Sequence, residues 1–211
     1  MAFTLFGLTG GIACGKSTVA GFLRNRHLPV IDADEVAREV VSPGSEGLAD
    51  IVAVFGPGVL DASGCLDRSK MGTLVFTSDK ERAKLEAITH PLIRQQTQRR
   101  ARALADQGHP MAAYEAALLV ENGLADAFRP LVVVVVDPAT QVGRLVARNS
   151  LTEEQARARI ASQMPLREKA SLADHVIDTG VSLEEVRTRT DVVLGSLCDA
   201  LRIDRSRYGL A

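Results

Sequence analysis

Residues 10–17 read Gly-Gly-Ile-Ala-Cys-Gly-Lys-Ser, and this stretch restricts the possible folds of the chain more than any other. It follows an apolar, β-prone run at residues 3–9 and precedes Val19, Phe22 and Leu23, which are spaced as on one face of a helix. Together these segments form the pattern G-x-x-x-x-G-K-[ST] in the strand–loop–helix context of a phosphate-binding loop. The alternative, a glycine-rich turn with a chance lysine, is disfavoured by the flanking strand and helix.

A loop of this kind predicts a nucleoside triphosphate site. Its glycines allow backbone N–H groups to turn inward around a phosphate, and the positive end of the following helix adds to the anion site. Lys16 is expected to reach the β- and γ-phosphates of ATP, and the Ser17 hydroxyl to ligate Mg²⁺. The predicted nucleotide-binding residues are Gly11, Ile12, Ala13, Cys14, Gly15, Lys16, Ser17 and Thr18.

Composition limits the classes of protein to consider. With 211 residues, 46% of them hydrophobic, the chain can bury a substantial core and is expected to be one domain with insertions. A net charge of -1 without a basic run disfavours a nucleic-acid partner. The apolar run at residues 131–136 is too short to cross a bilayer, and no signal-type N-terminus is present, so we predict a cytoplasmic protein without a membrane partner.

The cysteines point to the same compartment. Cys14, Cys65 and Cys198 are odd in number and widely spaced, which favours reduced thiols over disulfides or a zinc site. Cys14 lies beside Lys16 and the start of a helix, an environment that lowers the pKa of a thiol. We therefore hypothesise that alkylation of Cys14 inactivates the protein and that Mg-ATP protects it.

Strands alternate with helices along the chain, which predicts an α/β fold with a mainly parallel sheet flanked by helices, of the P-loop NTP hydrolase type. The predicted strands cover residues 3–9, 27–32, 111–119, 131–137 and 175–178. The valine run at 131–136 is typical of a central strand covered on both faces. Residues 68–105 are expected to be helical, with interruptions near 77–79 and at 90–91, and they form an inserted helical block.

Asp32 and Asp34 follow the second predicted strand, where open α/β sheets place their ligands. Two residues apart on an extended chain, both carboxylates can face the phosphate loop. One is suited to accept a proton from an attacking hydroxyl group, and the other to hold Mg²⁺ through water. Helix capping explains the pair equally well, because Asp32 and Glu35 form a capping-box pattern.

Four arginines stand on the two helices that follow the valine strand. Arg144 and Arg148 are four residues apart and share a helix face, and Arg157 and Arg159 follow on the next helix. In a phosphotransferase, such guanidinium groups clamp the triphosphate as a lid closes. A solvated basic helix face is the alternative and the commoner outcome of such a pattern.

Other polar residues are weaker candidates. His90 precedes Pro91 and is expected at a turn or a helix end, whereas Arg94, four residues on, favours an anionic ligand on the same face. Glu121 lies at a predicted strand exit, where a structural hydrogen-bonding role is equally plausible. Asp137 resembles the Walker-B aspartate of ATPases, although a proline follows it where many ATPases carry a catalytic glutamate.

Taken together, these motifs closely resemble the dephospho-CoA kinase family over nearly the whole chain. The residues that carry the resemblance are Gly7-Leu8-Thr9-Gly10-Gly11-Ile12, Gly15-Lys16-Ser17, Asp32-Ala33-Asp34, Ala37-Arg38, Leu66-Asp67-Arg68, Phe76, Leu85-Glu86, His90-Pro91-Leu92-Ile93-Arg94, Leu118-Leu119, Glu121, Val135-Val136-Asp137, Gln141, Arg144-Leu145, Arg148-Asn149, Arg159-Ile160, Gln163-Met164, Lys169, Ala173-Asp174 and Val176-Ile177.

The resemblance implies a kinase of the nucleotide-monophosphate-kinase type that uses ATP to phosphorylate the ribose 3′-hydroxyl of dephospho-CoA, the last step of coenzyme A biosynthesis. It implies a core at residues 1–40 and 108–211, a helical substrate-binding insert at about 41–107 and a lid at about 141–163. The expected partner is the small molecule alone, and the expected assembly is a monomer or a small homo-oligomer.

The same resemblance assigns roles to residues. Asp34 occupies the position of the family's catalytic base, with Lys16, Arg144 and Arg148 as further catalytic residues. The implied substrate residues are Asp32, Asp34, Arg38, His90, Arg94 and Glu121, and the implied metal ligands are Ser17 and Asp32. The chain has Ala13-Cys14 where many relatives have Gly-Ser, and Thr179-Gly180 where an asparagine-containing segment is common near the adenine.

Three alternatives remain. The nearest is a kinase of the same architecture that acts on another nucleotide or small hydroxyl compound. A nucleotide-switch protein such as a GTPase is disfavoured, because the chain contains no [NT]-K-x-D sequence for reading guanine. A mechanical ATPase is disfavoured by the missing glutamate after Asp137.

Overall fold

The structure, a computed structural model, describes residues 3–210 and divides them into two compact units. The first unit comprises residues 3–30 and 104–210 and contains most of a parallel β-sheet. The second unit comprises residues 31–103 and is helical. Within the described residues, no helix has both the length and the apolar character needed to span a membrane.

The sheet has five strands in the order β2-β3-β1-β4-β5. The strands are β1 Thr4–Gly10, β2 Val30–Asp32, β3 Met111–Glu115, β4 Leu131–Val135 and β5 His175–Asp178. β1 pairs in parallel with β3 on one side and β4 on the other, so that Gly7 lies opposite both Tyr114 and Leu131. β4 in turn pairs in parallel with β5. The strand that leads into the phosphate loop is therefore central, as an α/β fold of the P-loop type requires.

Helices flank this sheet. Those of the first unit are α1 Lys16–Asn25, α6 Pro138–Asn149, α7 Glu153–Ala161, α8 Leu166–Ser171 and α9 Leu183–Leu201. Their starts follow the sequence closely: Thr152 and Gln155 form the predicted capping box of α7, and Ser182 caps α9. The amphipathic α9 packs on α1 and β5 and closes one face of the core.

The core of the first unit lies between the sheet and α1 and α9. Phe6, Leu8 and Val134 are fully buried in the strands, and Leu194 is fully buried on α9. Close strand packing needs glycine at Gly10, since a Cβ atom there would lie 2.6 Å from the carbonyl oxygen of Val134. All the residues of β4 except the last are buried, which confirms the prediction of a strand covered on both faces.

The second unit consists of α2 Ala33–Glu39, α3 Glu46–Phe55, α4 Arg68–Thr77 and α5 Asp79–Asp106. It has an apolar cluster of its own, built around Val41, Ile51, Val59 and Met71. A short bridge between Leu60 and Leu66 closes the turn-rich segment before α4.

Three features differ from the sequence-based expectations. The predicted interruption at residues 90–91 is wrong, because α5 runs unbroken through Pro91. Proline removes one hydrogen bond of a helix, but the helical turns on both sides of Pro91 keep α5 continuous. β3 ends at Glu115 rather than at 119, where the chain turns away from the sheet. The short α8 was not predicted, because six residues are too few to show a helical period.

Candidate active site

The phosphate loop connects the end of β1 at Gly10 to the start of α1 at Lys16. Two of its residues adopt left-handed backbone conformations, Ala13 with φ 60° and Gly15 with φ 83°. At Gly15 this conformation suits glycine, and a Cβ atom would also lie 3.1 Å from the Thr179 hydroxyl oxygen. The tight turn therefore depends on Gly15, whereas Ala13 adopts its conformation against the ordinary steric preference of a residue with a Cβ.

Backbone donors of the loop are available for an anion. The N–H groups of Ala13, Gly15, Lys16 and Ser17 have no hydrogen-bond acceptor within residues 3–210. Lys16 and Ser17 lie in the first turn of α1, where a helix leaves its N–H groups without an intrahelical acceptor, and Ala13 and Gly15 of the loop add two further open donors. They lie where the positive end of the α1 dipole also favours negative charge, so this is a ready site for phosphate groups.

Other N–H groups of the loop are already used. That of Ile12 donates to Gln163 Oε1 at 2.8 Å, and that of Cys14 donates to the Gly11 carbonyl oxygen at 3.2 Å. The Thr18 N–H donates back to Gly15 at 3.0 Å. Of the predicted nucleotide-binding residues, four thus keep donors that are free within the described chain, whereas Ile12, Cys14 and Thr18 use theirs to shape the loop.

Glu115, which the sequence analysis did not single out, holds the lysine of the loop. It is the last residue of β3, beside β1, and only 4% of it is exposed. Its Oε1 atom lies 2.7 Å from Lys16 Nζ, and its Oε2 atom lies 3.6 Å from Arg24. The sequence does carry a signal for this residue, namely an acidic side chain at the end of a buried strand. Because the predicted strand extends to residue 119, it places Glu115 in the middle of the strand rather than at its end.

Asp137 lies just after β4, which pairs with β1, and its Walker-B role stays a prediction. It caps α6, because its Oδ1 atom accepts a hydrogen bond from the Thr140 N–H at 2.9 Å. The Thr140 hydroxyl and N–H also lower the pKa of the Asp137 carboxyl group. Glu115 instead supplies the buried carboxylate at a strand end next to β1.

The expected low pKa of Cys14 is wrong. Burial raises the pKa of this thiol to about 11, and the Gly11 backbone, Lys169 and Arg144 oppose the rise only in part. The side chain is 1% exposed and its sulfur lies 3.8 Å from the Ile12 carbonyl oxygen, within the interior face of the loop. Desolvation outweighs the helix terminus because the thiol faces the core rather than the anion site.

Arg144 is linked to the phosphate loop through Thr179. Its Nη1 and Nη2 atoms donate to the hydroxyl and carbonyl oxygens of Thr179, at 2.9 and 2.7 Å. The Thr179 hydroxyl in turn donates to the Cys14 carbonyl oxygen at 2.7 Å. Thr179, which was considered only as a departure from the family near the adenine, therefore links a predicted lid arginine to the phosphate loop.

The other arginines of α6 and α7 lie at the surface. Arg148 donates to Asn149 at 2.9 Å, Arg157 pairs with Glu153 on its own helix, and Arg159 is exposed. These arginines lie on the exposed sides of the two helices, which is compatible with a phosphate-binding lid and with a solvated basic face. Their role as lid residues stays a prediction.

Lys169 and Glu121 form an ion pair in the same unit, in which the lysine is buried and the carboxylate is partly exposed. Lys169 is completely buried, and its Nζ atom lies 2.7 Å from Glu121 Oε1 and 3.0 Å from the Ala117 carbonyl oxygen. Glu121 Oε1 also accepts a hydrogen bond from the Met164 N–H at 3.2 Å. Glu121 was predicted to contact substrate, and here one of its oxygens is engaged by Lys169 and Met164.

The second unit carries the remaining predicted residues. Asp32 caps α2 by accepting from the N–H groups of Asp34 and Glu35, at 2.8 and 3.3 Å, so capping is confirmed for Asp32. Asp34 lies in the first turn of α2, and its exposed carboxylate makes no hydrogen bond or ion pair within residues 3–210. Arg38 lies four residues further along α2 and is also exposed.

His90 and Arg94 lie one turn apart on α5 and are both exposed. Because they are four residues apart on a helix, they share one face of it. The prediction that His90 marks a turn or a helix end is wrong, since α5 is continuous there.

A parallel sheet with β1 at its centre, free amide donors between β1 and α1, and a lysine held by a strand-end carboxylate define a P-loop nucleotide-binding protein. The comparisons with known proteins identify the family more narrowly. A family model described as dephospho-CoA kinase matches residues 4–185 of this chain.

Relatives in sequence and structure agree with this match. Dephospho-CoA kinase of Geobacillus kaustophilus is 48% identical over 89% of this chain and 94% of its own, and that of Bdellovibrio bacteriovorus is 47% identical over 89% and 93%. The crystal structure of TT1252 from Thermus thermophilus superposes with a TM-score of 0.80 at 31% identity, covering 93% of this chain and 99% of that one. Dephospho-CoA kinase from Campylobacter jejuni gives 0.70 at 26% identity, covering 94% and 98%. The chain belongs to the dephospho-CoA kinase family.

Proposed function

We propose that this kinase transfers the γ-phosphoryl group of ATP to the ribose 3′-hydroxyl of dephospho-CoA and so completes coenzyme A biosynthesis. Membership of the family assigns the ATP-dependent phosphorylation of dephospho-CoA. The observation that carries the nucleotide part is the set of free N–H donors at Ala13, Gly15, Lys16 and Ser17. Such preorganised donors stabilise the charge of a triphosphate without reorganisation during transfer.

The donor side of the site is built on the phosphate loop. Lys16 would neutralise the β- and γ-phosphate oxygens, and Glu115 would keep its ammonium group in place. Ser17 and Asp32 are the proposed Mg²⁺ ligands, each supported by its own surroundings: the exposed Ser17 hydroxyl makes no hydrogen bond within residues 3–210, and Asp32 uses only Oδ1 for capping. Mg²⁺ is usually coordinated by one or two protein oxygens, with phosphate oxygens and water as the other ligands. When bound, it would neutralise the negative charge that develops on the phosphoryl group during transfer.

The acceptor side is assigned to the second unit. Asp34 would accept the proton of the attacking ribose hydroxyl group, a role supported by its exposed carboxylate without an internal partner. Arg38, His90 and Arg94 would bind the anionic groups of dephospho-CoA, since each is exposed on α2 or α5. Glu121, in the first unit, is also proposed as a substrate residue.

Arg144 and Arg148 are proposed as lid residues that stabilise the transferring phosphoryl group. They share one face of α6, which is the arrangement expected of paired guanidinium clamps. Core, insert and lid boundaries at 1–40 with 108–211, 41–107 and 141–163 are part of the same proposal, as are a cytoplasmic location and a monomer or small homo-oligomer.

The experiment is to measure ADP release from Mg-ATP with and without dephospho-CoA, and to weigh the product. Acceptor-dependent release and one added phosphoryl group on the 3′-hydroxyl support the proposal. Protein that binds ATP but releases no ADP with dephospho-CoA contradicts it, and a panel of other small hydroxyl compounds would then identify the acceptor.

A further inference from the structure

Both backbone polar groups of Ile12, in the middle of the phosphate loop, are hydrogen-bonded to glutamine side chains. Gln141 Nε2, near the start of α6, donates to the Ile12 carbonyl oxygen at 2.8 Å. Gln163 Oε1, just after α7, accepts from the Ile12 N–H at 2.8 Å. Gln141 is 3% exposed, so its hydrogen bond is shielded from water and is costly to leave unmade.

Each of these bonds sets the direction of a whole peptide. A trans peptide is planar, and its C=O and N–H groups point in opposite directions. When Gln141 holds the carbonyl group of Ile12, the N–H of Ala13 in the same peptide must point away from Gln141. That N–H group is one of the free donors of the loop.

The neighbouring peptide is set in the same way from the other side. Because Gln163 holds the N–H of Ile12, the carbonyl group of Gly11 points away from Gln163, and it accepts the N–H of Cys14 at 3.2 Å. Ala13 has φ 60°, a conformation that is unfavourable for a residue with a Cβ. Rotation of the Ile12–Ala13 peptide would relieve this strain and turn the donor away from the phosphate, and the bond from Gln141 opposes that rotation.

Helix α6, which carries Gln141, and helix α7, which ends just before Gln163, are also packed on Ile12. The apolar cluster of α6 and α7 is formed by Val142, Leu145 and Ala156. The side chains of Ile12 and Ala13 pack against it. The position of the two helices and the shape of the loop are therefore linked through Ile12 and Ala13.

The segment with Gln163 is anchored in turn. Glu121 accepts the N–H of Met164 at 3.2 Å, and the completely buried Lys169 holds Glu121 at 2.7 Å. The Gln163 side chain thus extends from a segment fixed to the core.

We propose that Gln141 and Gln163 are positioning residues that orient the two peptides of Ile12, so that the Ala13 N–H faces the phosphate and the loop is coupled to α6 and α7. The inference rests on the proposed placement of the ATP phosphates in this loop. It does not depend on the acceptor or on Asp34.

The test is the affinity for Mg-ADP, measured by calorimetry on Gln141→Leu, Gln163→Leu and Gln155→Leu. Gln155 is the matched control, because it lies on α7 and bonds only within the capping box of Thr152. Loss of one hydrogen bond to a charged group weakens binding by about 10- to 100-fold, and we expect a loss in this range for Gln141→Leu. For Gln163→Leu we expect a smaller loss in the same direction, and for Gln155→Leu none.

A second readout separates positioning from general loss of structure. KM for ATP should rise in Gln141→Leu and Gln163→Leu while KM for dephospho-CoA stays unchanged. Equal Mg-ADP affinity in all the variants overturns the inference, and so does a parallel rise of both KM values. If Gln141→Leu does not fold, Gln163→Leu applies the same criteria. Because Mg-ADP binding needs no acceptor, a wrong acceptor assignment leaves this result intact.

Discussion

The Nζ atom of Lys16 lies 2.7 Å from Glu115, a residue 99 positions away in the chain that is almost fully buried at the end of β3. The pairing places a charge-balanced lysine at the start of α1, where the free amide donors of the phosphate loop also lie. A buried carboxylate in this place orients the lysine through a charge-assisted hydrogen bond.

Glu115→Gln should therefore lower kcat by about 10²-fold, because the lysine loses the charge that fixes it while the side-chain volume is kept. Steady-state kinetics with Mg-ATP and dephospho-CoA measure the effect. Arg24→Gln is the control, because Arg24 contacts the same carboxylate at 3.6 Å from a half-exposed position. Equal activity of the two variants would exclude this role for Glu115.

Asp34→Asn should lower kcat by about 10²- to 10⁴-fold and leave the Kd for Mg-ATP unchanged, because a general base acts in the transition state and does not bind the donor. Glu35→Gln is the matched control in the same turn of α2. It removes only an ion pair with Arg100 at 3.3 Å and should keep full turnover.

Variants of Asp32 and Asp34 separate the contribution of the α2 cap to stability from the contribution of the proposed base to turnover. Asp32→Ala should cost about 1 kcal/mol of stability through the lost cap, measured by urea unfolding, whereas Asp34→Asn should cost none. Full turnover in Asp34→Asn would remove Asp34 from the mechanism.

Cys14 should react slowly with thiol reagents, because its thiol is buried and its pKa is raised to about 11. Cys198 is buried as well, and Cys65 is the most accessible of the cysteines. Mass spectrometry after brief treatment with iodoacetamide near neutral pH should find the label on Cys65 first, with activity retained. Rapid labelling of Cys14 in the nucleotide-free protein would contradict this expectation.

The same raised pKa predicts a pH effect on stability. The folded state favours the neutral thiol of Cys14, so this contribution is complete below the ordinary pKa of 9.0 and is lost as pH rises toward about 11. The Tm of the wild type should therefore fall relative to that of Cys14→Ala over this interval. A constant difference between the two proteins would show that Cys14 does not titrate with a raised pKa.

Lys169→Met should destabilise the protein by about 3–5 kcal/mol in urea unfolding, since it leaves Glu121 without its counter-charge. The double variant Lys169→Met/Glu121→Gln should be more stable than the sum of the single changes predicts, because it removes both charges. Additive effects would show that the ion pair contributes no coupling energy.

Much of the fold followed from local patterns. The valine run of β4, the Thr152 capping box and the G-x-x-x-x-G-K-[ST] loop each contain their own signal within a few residues. Pro91 shows the limit of such signals, since its neighbours continue α5 through it. Glu115 shows a second limit, because the end of β3 depends on pairing with β1 rather than on residues 116–119.

Local sequence was sufficient for the phosphate loop, the α/β class and the kinase family, because these depend on backbone conformation and short-range spacing. The contacts of Lys16 with Glu115, Ile12 with Gln141 and Gln163, and Arg144 with Thr179 required the folded chain. The burial that reversed the expected pKa of Cys14 also required it. Each of these contacts joins residues that are distant in sequence. Which group pairs with a charged side chain, and how much water reaches a titratable group, depend on how the sheet and helices pack and not on any single segment.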